Sequence, residues 1–265
     1  MTLIHIITVA LIQGITEFLP ISSSGHLILI PQLTEWPDQG IAIDIAAHLG
    51  TLIAVCAYFR RDLVLLVGDG WRSVQQRRFV GDGFLAFAML AGTVPVGLFG
   101  LLAYDFISGQ LRTSEVIAAT TIVFGLALWW ADARGGSRRQ LDTLTVRDVI
   151  VIGCAQALAL VPGTSRSGIT ITAALALGLT REAATRFSFL LSIPVILLAS
   201  GVEAKDLIGA PLVVEWVPVL SVVFLSTLSA SLCIHFFLRF VERIGMLPFV
   251  VYRMLLGGFL FAIAI

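Results

Sequence analysis

The 265-residue sequence predicts an all-α, polytopic membrane protein of six transmembrane helices and two re-entrant helical hairpins, arranged as an inverted repeat. The residues AVILMFWYC make up 58% of the chain, and its 24 glycines raise the apolar share to about 67%, against roughly 45–50% in soluble domains. Charged residues make up only 13%, and the net charge is zero. This composition excludes a soluble enzyme, and the neutral charge argues against a nucleic-acid partner.

Six apolar stretches are long enough, or nearly so, to cross the roughly 30 Å hydrocarbon core of a bilayer. They cover residues 41–59, 84–104, 115–131, 185–201, 216–238 and 248–265. No soluble segment separates them, so residues 1–265 are predicted to form one integral membrane domain.

Two further apolar stretches, 3–30 and 149–179, are each interrupted by a polar break. The first break holds Pro20 and the run Ser22-Ser23-Ser24-Gly25-His26, and the second is Pro162-Gly163-Thr164-Ser165-Arg166-Ser167-Gly168. Irregular backbone at membrane depth is tolerated only where protein buries it or where it lines a wet cavity. Both stretches are therefore predicted to be re-entrant hairpins with a polar tip.

The arginine and lysine residues sort to one end of the predicted spans. Thirteen of the 17 lie in loops on one side and only Arg112 and Lys205 lie in loops on the other. The positive-inside rule places the arginine-rich loops in the cytoplasm and both termini outside. Each hairpin is followed by three spans, so the halves 1–131 and 148–265, joined by a connector at 132–148, are predicted to be inverted. Such repeats usually place their site near the midplane, where the breaks meet.

The second break predicts an anion site. Arg166 lies inside an apolar stretch, where an arginine costs roughly 2.5–3.5 kcal/mol on the insertion scale. Hydroxyls and glycines surround it, at Gly163, Ser165, Ser167, Gly168 and Thr170. A guanidinium, hydroxyls and the free amides of a helix N-terminus are suited to a phosphate or a diphosphate. The alternative is that the hydroxyls bond within the helix while Arg166 snorkels or pairs with Glu17.

The first break adds groups that can make and break bonds. Ser22 and Ser23 follow Pro20, and His26 comes three residues after Ser23, a spacing that brings both side chains to one helix face. A serine and a histidine within hydrogen-bond reach form a nucleophile and its base. The alternative is that the serines cap a helix and His26 bonds a carbonyl.

Glu17 is an intramembrane carboxylate, which indicates function. It shares a helix face with Gln13, and it can bind a divalent cation, pair with Arg166, orient His26 or carry protons. Asp44 and His48 share a face of the first span and are candidates for the cavity rim, although polar interface residues are common. Near the start of the last span, Arg253 is expected to snorkel.

At residues 13–26 and 162–170 the sequence resembles the undecaprenyl-diphosphate phosphatase family of bacterial membranes. The matching runs are QGITEFLPISSSGH and PGTSRSGIT, and 187–191 and 248–253 look like further family segments. The resemblance covers essentially the whole chain. It implies removal of the terminal phosphate from C55-isoprenyl diphosphate in the bacterial cytoplasmic membrane, which recycles the lipid carrier of cell-wall synthesis and confers bacitracin resistance.

The resemblance also implies roles for individual residues. Ser23 would be the nucleophile and His26 its base, and the diphosphate would be held by the second break with Ser22, that is by Ser22, Gly163, Ser165, Arg166, Ser167 and Thr170. A divalent cation, Mg²⁺ or Ca²⁺, would be bound at Glu17 and Gln13. Some family members carry Glu where this chain has Gln13, so the metal site here has less charge. The resemblance leaves a homodimer open.

A transporter or lipid flippase for an anionic isoprenyl phosphate is the competing function, because inverted repeats with broken helices also occur in carriers. The pair Ser23 and His26 favours the enzyme, since a carrier needs neither a nucleophile nor its base.

Overall fold

The structure is a computed structural model that describes residues 1–34, 36–111, 113–134, 138–208 and 215–264, with side chains except at 104–110, 203, 206–208 and 264. Arg112, Ile265 and positions 135–137 of the predicted connector lie outside the described residues. Within those residues the chain is helical, and its only β-type pairing is a single bridge between Arg139 and Leu179. The all-α prediction is confirmed.

The described residues form eleven α-helices. In chain order they are α1 (Leu3–Thr16), α2 (Ser23–Leu33), α3 (Ile41–Tyr58), α4 (Arg60–Gln76), α5 (Gly83–Gln110), α6 (Ser114–Ala133), α7 (Val146–Ala157), α8 (Arg166–Ala176), α9 (Arg181–Ile208), α10 (Trp216–Ile244) and α11 (Leu247–Ala264).

Within the described residues, five of these helices are long and apolar enough to cross a membrane, namely α3, α5, α6, α9 and α10. Each overlaps one of the predicted spans, so the protein is a polytopic membrane protein. The sixth predicted span, 248–265, corresponds to α11, whose apolar stretch is one of the shorter ones, of 10–17 residues. The count of six spans therefore stays a prediction.

Helix α4 was not predicted, because its arginines were assigned to a loop. Its Leu66 and Ser73 are buried against the protein, while Val67 and Trp71 are exposed. A helix with exposed apolar side chains between arginines is typical of a segment that lies in the membrane interface.

The two polar breaks divide helices that are too short to cross the bilayer alone. The four half-helices α1, α2, α7 and α8 have 14, 11, 12 and 11 residues, and a helix rises only about 1.5 Å per residue. Helix α1 packs on α10 of the second half, while α7 packs on α5 of the first half. This reciprocal packing is what an inverted repeat would produce, and the repeat itself stays a prediction.

Helix α9 is the most buried of the five spans. Half of its apolar window (50%) is buried, against 28–44% for the other four. Phe187, Phe189 and Leu190 are almost completely enclosed, and the ring of Phe189 meets Phe18 edge-on at 5.0 Å. The core thus lies directly behind the first break and gives the site a rigid wall.

A cluster of hydrogen bonds around Arg139 joins the start of α7 to the end of α8. The guanidinium of Arg139 donates to Asp148 at the start of α7 (Nη1–Oδ1 3.1 Å) and to the carbonyl of Leu177 at the end of α8 (3.0 Å). Asp148 also forms a capping box with Thr145. Burial of Asp148 opposes its ionisation, but the hydrogen bonds from Arg139 and Thr145 outweigh this effect and hold the pKa of the carboxyl below its ordinary value.

We predict that Asp148→Asn lowers the stability of the purified protein by about 1–2 kcal/mol at pH 7, because Arg139 loses a charged acceptor. The lowered pKa means that this stabilisation is present above the unfolded pKa, near 3.9, and is lost as the pH falls through the folded value. The difference in apparent Tm between wild type and variant should therefore be constant from about pH 8 to 5.

The exposed residue Asp142 supplies the control, and Asp142→Asn should leave the apparent Tm unchanged. If the difference in apparent Tm between wild type and Asp148→Asn already vanishes between about pH 7 and 6, a group other than Asp148 provides the stabilisation.

Candidate active site

A serine in a rare backbone conformation ends each polar break. Ser22 has φ 73° and ψ 96°, and Ser165 has φ 72° and ψ 114°. Each hydroxyl caps the following helix, because Ser22 Oγ accepts from the Gly25 amide (3.3 Å) and Ser165 Oγ accepts from the Gly168 amide (3.1 Å). Positive φ in a non-glycine residue costs energy and clusters at functional sites. Its occurrence at both tips indicates that the tips were shaped for a ligand.

Glu17 is the residue around which the site is assembled. It follows the last residue of α1 and is only 8% exposed. Its Oε2 accepts from Gln13 Nε2 (3.1 Å) and from Ser23 Oγ (2.8 Å), and its Oε1 accepts from Arg166 Nη2 (3.1 Å). The structure therefore brings together four of the predicted site residues, namely Gln13 and Glu17 before the first break, Ser23 at the start of α2 and Arg166 at the start of α8.

Arg166 is held between the first break and α9. Its Nη1 donates to the carbonyl of Ser188 (3.1 Å), while Nη2 reaches Glu17. The pair with Glu17 is the alternative that the sequence left open, and it explains how a charged guanidinium is accommodated inside an apolar stretch. The two charges neutralise each other where the breaks meet.

His26 lies three residues after Ser23 in the chain, but neither of its ring nitrogens is hydrogen-bonded to Ser23. Nδ1 donates to the carbonyl of Ser22 (2.6 Å), because a carbonyl can only accept. Nε2 then accepts from the hydroxyl of Tyr252 (2.6 Å), whose ring stacks on the imidazole at 5.6 Å. The Ser23–His26 contact expected from their spacing is replaced by Ser23–Glu17, since both imidazole nitrogens already have partners.

Sequence reasoning did not assign a role to Tyr252. The only signal for it was its place in the segment 248–253, one of the further stretches that resemble the family. Its hydroxyl comes 226 positions after His26 in the chain, so no local spacing could have paired them.

The remaining polar groups of the second break face different ways. Ser165 lines the cavity, whereas Ser167 donates to the Leu19 carbonyl (2.9 Å) and Thr170 shares a hydrogen bond with the Ser188 hydroxyl (2.7 Å). Ser167 and Thr170 are fully buried. They hold α8 against the first break and α9 rather than pointing at a ligand.

Gly163 also serves packing. It has φ 85°, and a Cβ at this position would lie 2.2 Å from Thr120 Oγ1 and 2.6 Å from the carbonyl of Ile117. The glycine is therefore required for close approach of the second break to α6, and its role in holding a diphosphate stays a prediction.

The site opens into a polar cavity of about 200 Å³. Its wall combines the charged and hydroxyl groups of both breaks with apolar side chains of neighbouring helices, and it consists of Glu17, Ser22, Ser23, Ser24, His48, Val96, Ala159, Leu160, Ser165, Arg166, Val195, Ile196 and Ala199. His48 Nε2 lies 4.0 Å from Glu17 Oε2. The rim position expected for His48 is thus a position in the cavity wall.

The residues present offer few ligands to a metal ion. Among the described residues, no three His, Cys, Asp or Glu side chains come together closely enough to hold one. Gln13 Oε1, however, is buried and has no hydrogen-bond partner in the described part of the chain. Mg²⁺ and Ca²⁺ prefer oxygen ligands, so this carboxamide oxygen and the Glu17 carboxylate are of the right chemical type. Gln13 faces Glu17 with Nε2 rather than with Oε1, so its amide would have to turn over for both groups to bind one ion.

Comparison with known proteins agrees with the resemblance. The family model described as bacitracin resistance protein BacA matches residues 6–259. Undecaprenyl-diphosphatase 2 of Stutzerimonas stutzeri is 54% identical over 98% of this chain and 97% of its own length. The undecaprenyl-diphosphatases of Nitrosococcus oceani and Alcanivorax borkumensis are 54% and 57% identical, covering 98% and 95% of each chain. This chain therefore belongs to the BacA family of bacitracin resistance proteins.

Proposed function

We infer that this protein is an undecaprenyl-diphosphatase, which hydrolyses undecaprenyl diphosphate to undecaprenyl phosphate and inorganic phosphate. The names of its relatives support the substrate. The observation that carries the reaction is the 2.8 Å hydrogen bond from Ser23 to Glu17, beside Arg166, inside a membrane protein. The product is the lipid carrier reused in cell-wall synthesis, and removal of the diphosphate withdraws the target of bacitracin.

The diphosphate head binds in the polar cavity, whose wall contains Arg166, Ser22 and Ser165. Helices α2 and α8 begin in the cavity wall, so their positive N-terminal ends favour a phosphate there. Apolar cavity residues such as Val96 and Val195 lie on the path of the lipid tail.

Arg166 changes partner when the substrate binds. In the resting site its fork is shared between Glu17 and a carbonyl. A terminal phosphate carries more charge than a carboxylate and matches the fork in a bidentate manner, so it competes for the guanidinium. Glu17 then loses its cationic partner and becomes a better proton acceptor at the moment when Ser23 has its target in place.

Ser23 Oγ attacks the terminal phosphorus, and its proton passes to Glu17 Oε2 along the existing hydrogen bond. The bond between this phosphorus and the bridging oxygen breaks, and undecaprenyl phosphate leaves with the electron pair. Arg166 stabilises the charge on the transferred phosphoryl group. The proton on Glu17 passes to the departing undecaprenyl phosphate, so Glu17 can then accept a proton from a water molecule. This water attacks the phosphoserine, the bond from phosphorus to Ser23 Oγ breaks, inorganic phosphate leaves, and Glu17 returns the proton to Ser23 Oγ.

His26 acts as a positioning residue in this proposal. Its Nδ1 proton holds the carbonyl of Ser22, the residue before the nucleophile, and Tyr252 fixes the ring from the other side. The role as base, which the family resemblance implies for His26, requires the imidazole to leave the Tyr252 hydroxyl first.

A divalent cation, Mg²⁺ or Ca²⁺, is part of the proposal. Glu17 and Gln13 Oε1, with the Gln13 amide turned over, would be its protein ligands, and oxygens of the diphosphate would complete them. The cation would add neutralising charge to the phosphates as they react.

The cavity faces the outer side of the bacterial cytoplasmic membrane in this proposal. His48 lies in the first half of α3, which Arg60 follows, and Ala199 lies in the second half of α9, which Arg181 begins. The cavity is therefore at the arginine-poor ends of both spans, and the positive-inside rule assigns these ends, with both termini, to the outside.

We predict that rapid-quench labelling with ³²P-undecaprenyl diphosphate traps phosphate on Ser23. Ser23→Ala should abolish labelling and turnover, and Glu17→Gln should lower the rate of labelling by about 10²–10⁴, the range of a general base. His26→Asn should still form the phosphoenzyme. The opposite result, with labelling kept in Glu17→Gln and lost in His26→Asn, would return the role of base to His26.

We predict that Arg166→Lys loses at least about 100-fold in kcat/KM, because an ammonium cannot reproduce the bidentate fork. Phosphate release from protein in detergent measures this, and Arg147→Lys, at an exposed position near the start of α7, is the matched control. Near-normal turnover of Arg166→Lys would refute the proposed role. Hydrolysis by the wild type without a sealed membrane also separates the enzyme from a carrier.

We predict that EDTA removes more than nine-tenths of the phosphate release and that Mg²⁺ or Ca²⁺ restores it. Gln13→Glu should lower the concentration of Mg²⁺ or Ca²⁺ that gives half-maximal phosphate release, because it adds a second carboxylate beside Glu17. Full activity in the presence of the chelator, for wild type and variant alike, would exclude a divalent cation from the reaction.

A further inference from the structure

Arg253 of α11 does not snorkel to the interface as the sequence suggested. Its side chain has no solvent exposure and is the largest of the fully buried side chains. Among the described residues no Asp or Glu forms an ion pair with it. A charged guanidinium enclosed in this way must be stabilised by other groups, since an unpaired buried charge is costly.

Five backbone carbonyls supply this stabilisation. Nε donates to one of them, and Nη1 and Nη2 donate to two each, the acceptors being Thr121 (3.0 Å), Pro20 (3.3 Å), Thr164 (3.0 Å), Thr120 (3.3 Å) and Gly163 (3.0 Å). A guanidinium has five N–H groups, so each has an acceptor. The acceptors come from the first break, the second break and α6.

These contacts determine which way the second break presents its backbone. The structure contains no cis peptide bond in the described residues, and in a trans peptide the C=O and the N–H point in opposite directions. Because the Thr164 carbonyl points at Arg253, the amide of Ser165 points away from it. Ser165 lies in the cavity wall, next to the first residue of α8.

We propose that Arg253 is a positioning residue for the reaction. By holding the carbonyls of Gly163 and Thr164 in the second break and of Pro20 in the first, it presents the Ser165 amide and the N-terminal end of α8 to the terminal phosphate. This inference rests on the proposed phosphatase activity. It gives α11 a part in binding the diphosphate, although Arg253 touches no ligand.

The test compares Arg253→Lys with Arg139→Lys in purified full-length protein. Arg139 is a matched control, because it also donates to carbonyls and anchors the second hairpin, but at the end remote from the cavity. The measurements are kcat, KM, the inhibition constant of methylenediphosphonate, which is a diphosphate analogue that cannot be hydrolysed, and the apparent Tm.

Arg253→Lys should lower kcat/KM by about 10–100-fold, because a misaligned amide donor costs less than the roughly 10²–10³-fold of a donor that is removed, and it should weaken binding of the analogue at least tenfold. Both variants should lower the apparent Tm by a similar amount. Arg139→Lys, however, should keep kcat/KM and the inhibition constant of the analogue within twofold of wild type. An Arg253→Lys protein that also keeps both constants within twofold would overturn the inference. Equal losses in the two variants would assign the effect to stability and overturn it as well.

If Arg253→Lys does not fold, Thr121→Val decides the question. Thr121 Oγ1 is the second donor to the Gly163 carbonyl (3.4 Å) and lies outside the cavity wall. Loss of this donor should weaken the analogue about three- to tenfold, and unchanged binding would overturn the inference. A wild-type protein that binds the analogue but releases no phosphate would refute the proposed function, while analogue binding by the variants would still test Arg253.

Discussion

The constraint on which this structure depends is that no backbone polar group can remain unpaired at membrane depth. Two helices are broken there, and each break exposes amides on one side and carbonyls on the other. The serine hydroxyls of Ser22 and Ser165 bond the first amides of the new helices. The carbonyls of both breaks converge on Arg253, which donates to three of them and joins them to α6.

This division gives the site its polarity. Carbonyls of both breaks accept hydrogen bonds from Arg253 inside the protein, whereas the first residues of α2 and α8 line the cavity. The same arrangement explains why Ser167 and Thr170 are turned inward, because their hydroxyls bond a carbonyl of the first break and the hydroxyl of Ser188. The polar residues that remain in the cavity wall are Arg166, Glu17, His48 and the serines of both breaks.

Much of this could be predicted from the sequence. Apolar length located the long helices, and the proline and glycine residues located the two breaks, because these signals are local. The pair of Glu17 and Arg166 was one of the two alternatives for the second break, since each charge in an apolar stretch needs a partner. The contact of Ser23 with Glu17 was not predicted. Helix α4 was not predicted, because the arginines between its apolar residues indicated a loop.

The contacts that could not be predicted join distant parts of the chain. The hydroxyl of Tyr252 donates to Nε2 of His26, and the hydroxyl of Ser23 donates to Glu17 instead of to His26. Arg253 was expected at the interface because a long side chain near a helix end usually reaches it. Its five acceptors lie on three other segments, and only the folded chain brings them together.

The pair between Glu17 and Arg166 has a consequence for turnover. An empty anion site in a membrane would hold an unbalanced positive charge, and the protein would retain any phosphate that balanced it. Here the carboxylate is a tethered competitor that is always present at high local concentration. In the proposed reaction, Glu17 pairs with the guanidinium again after each turnover and thereby displaces the inorganic phosphate. A site that binds its ligands less tightly would in this way release its product faster.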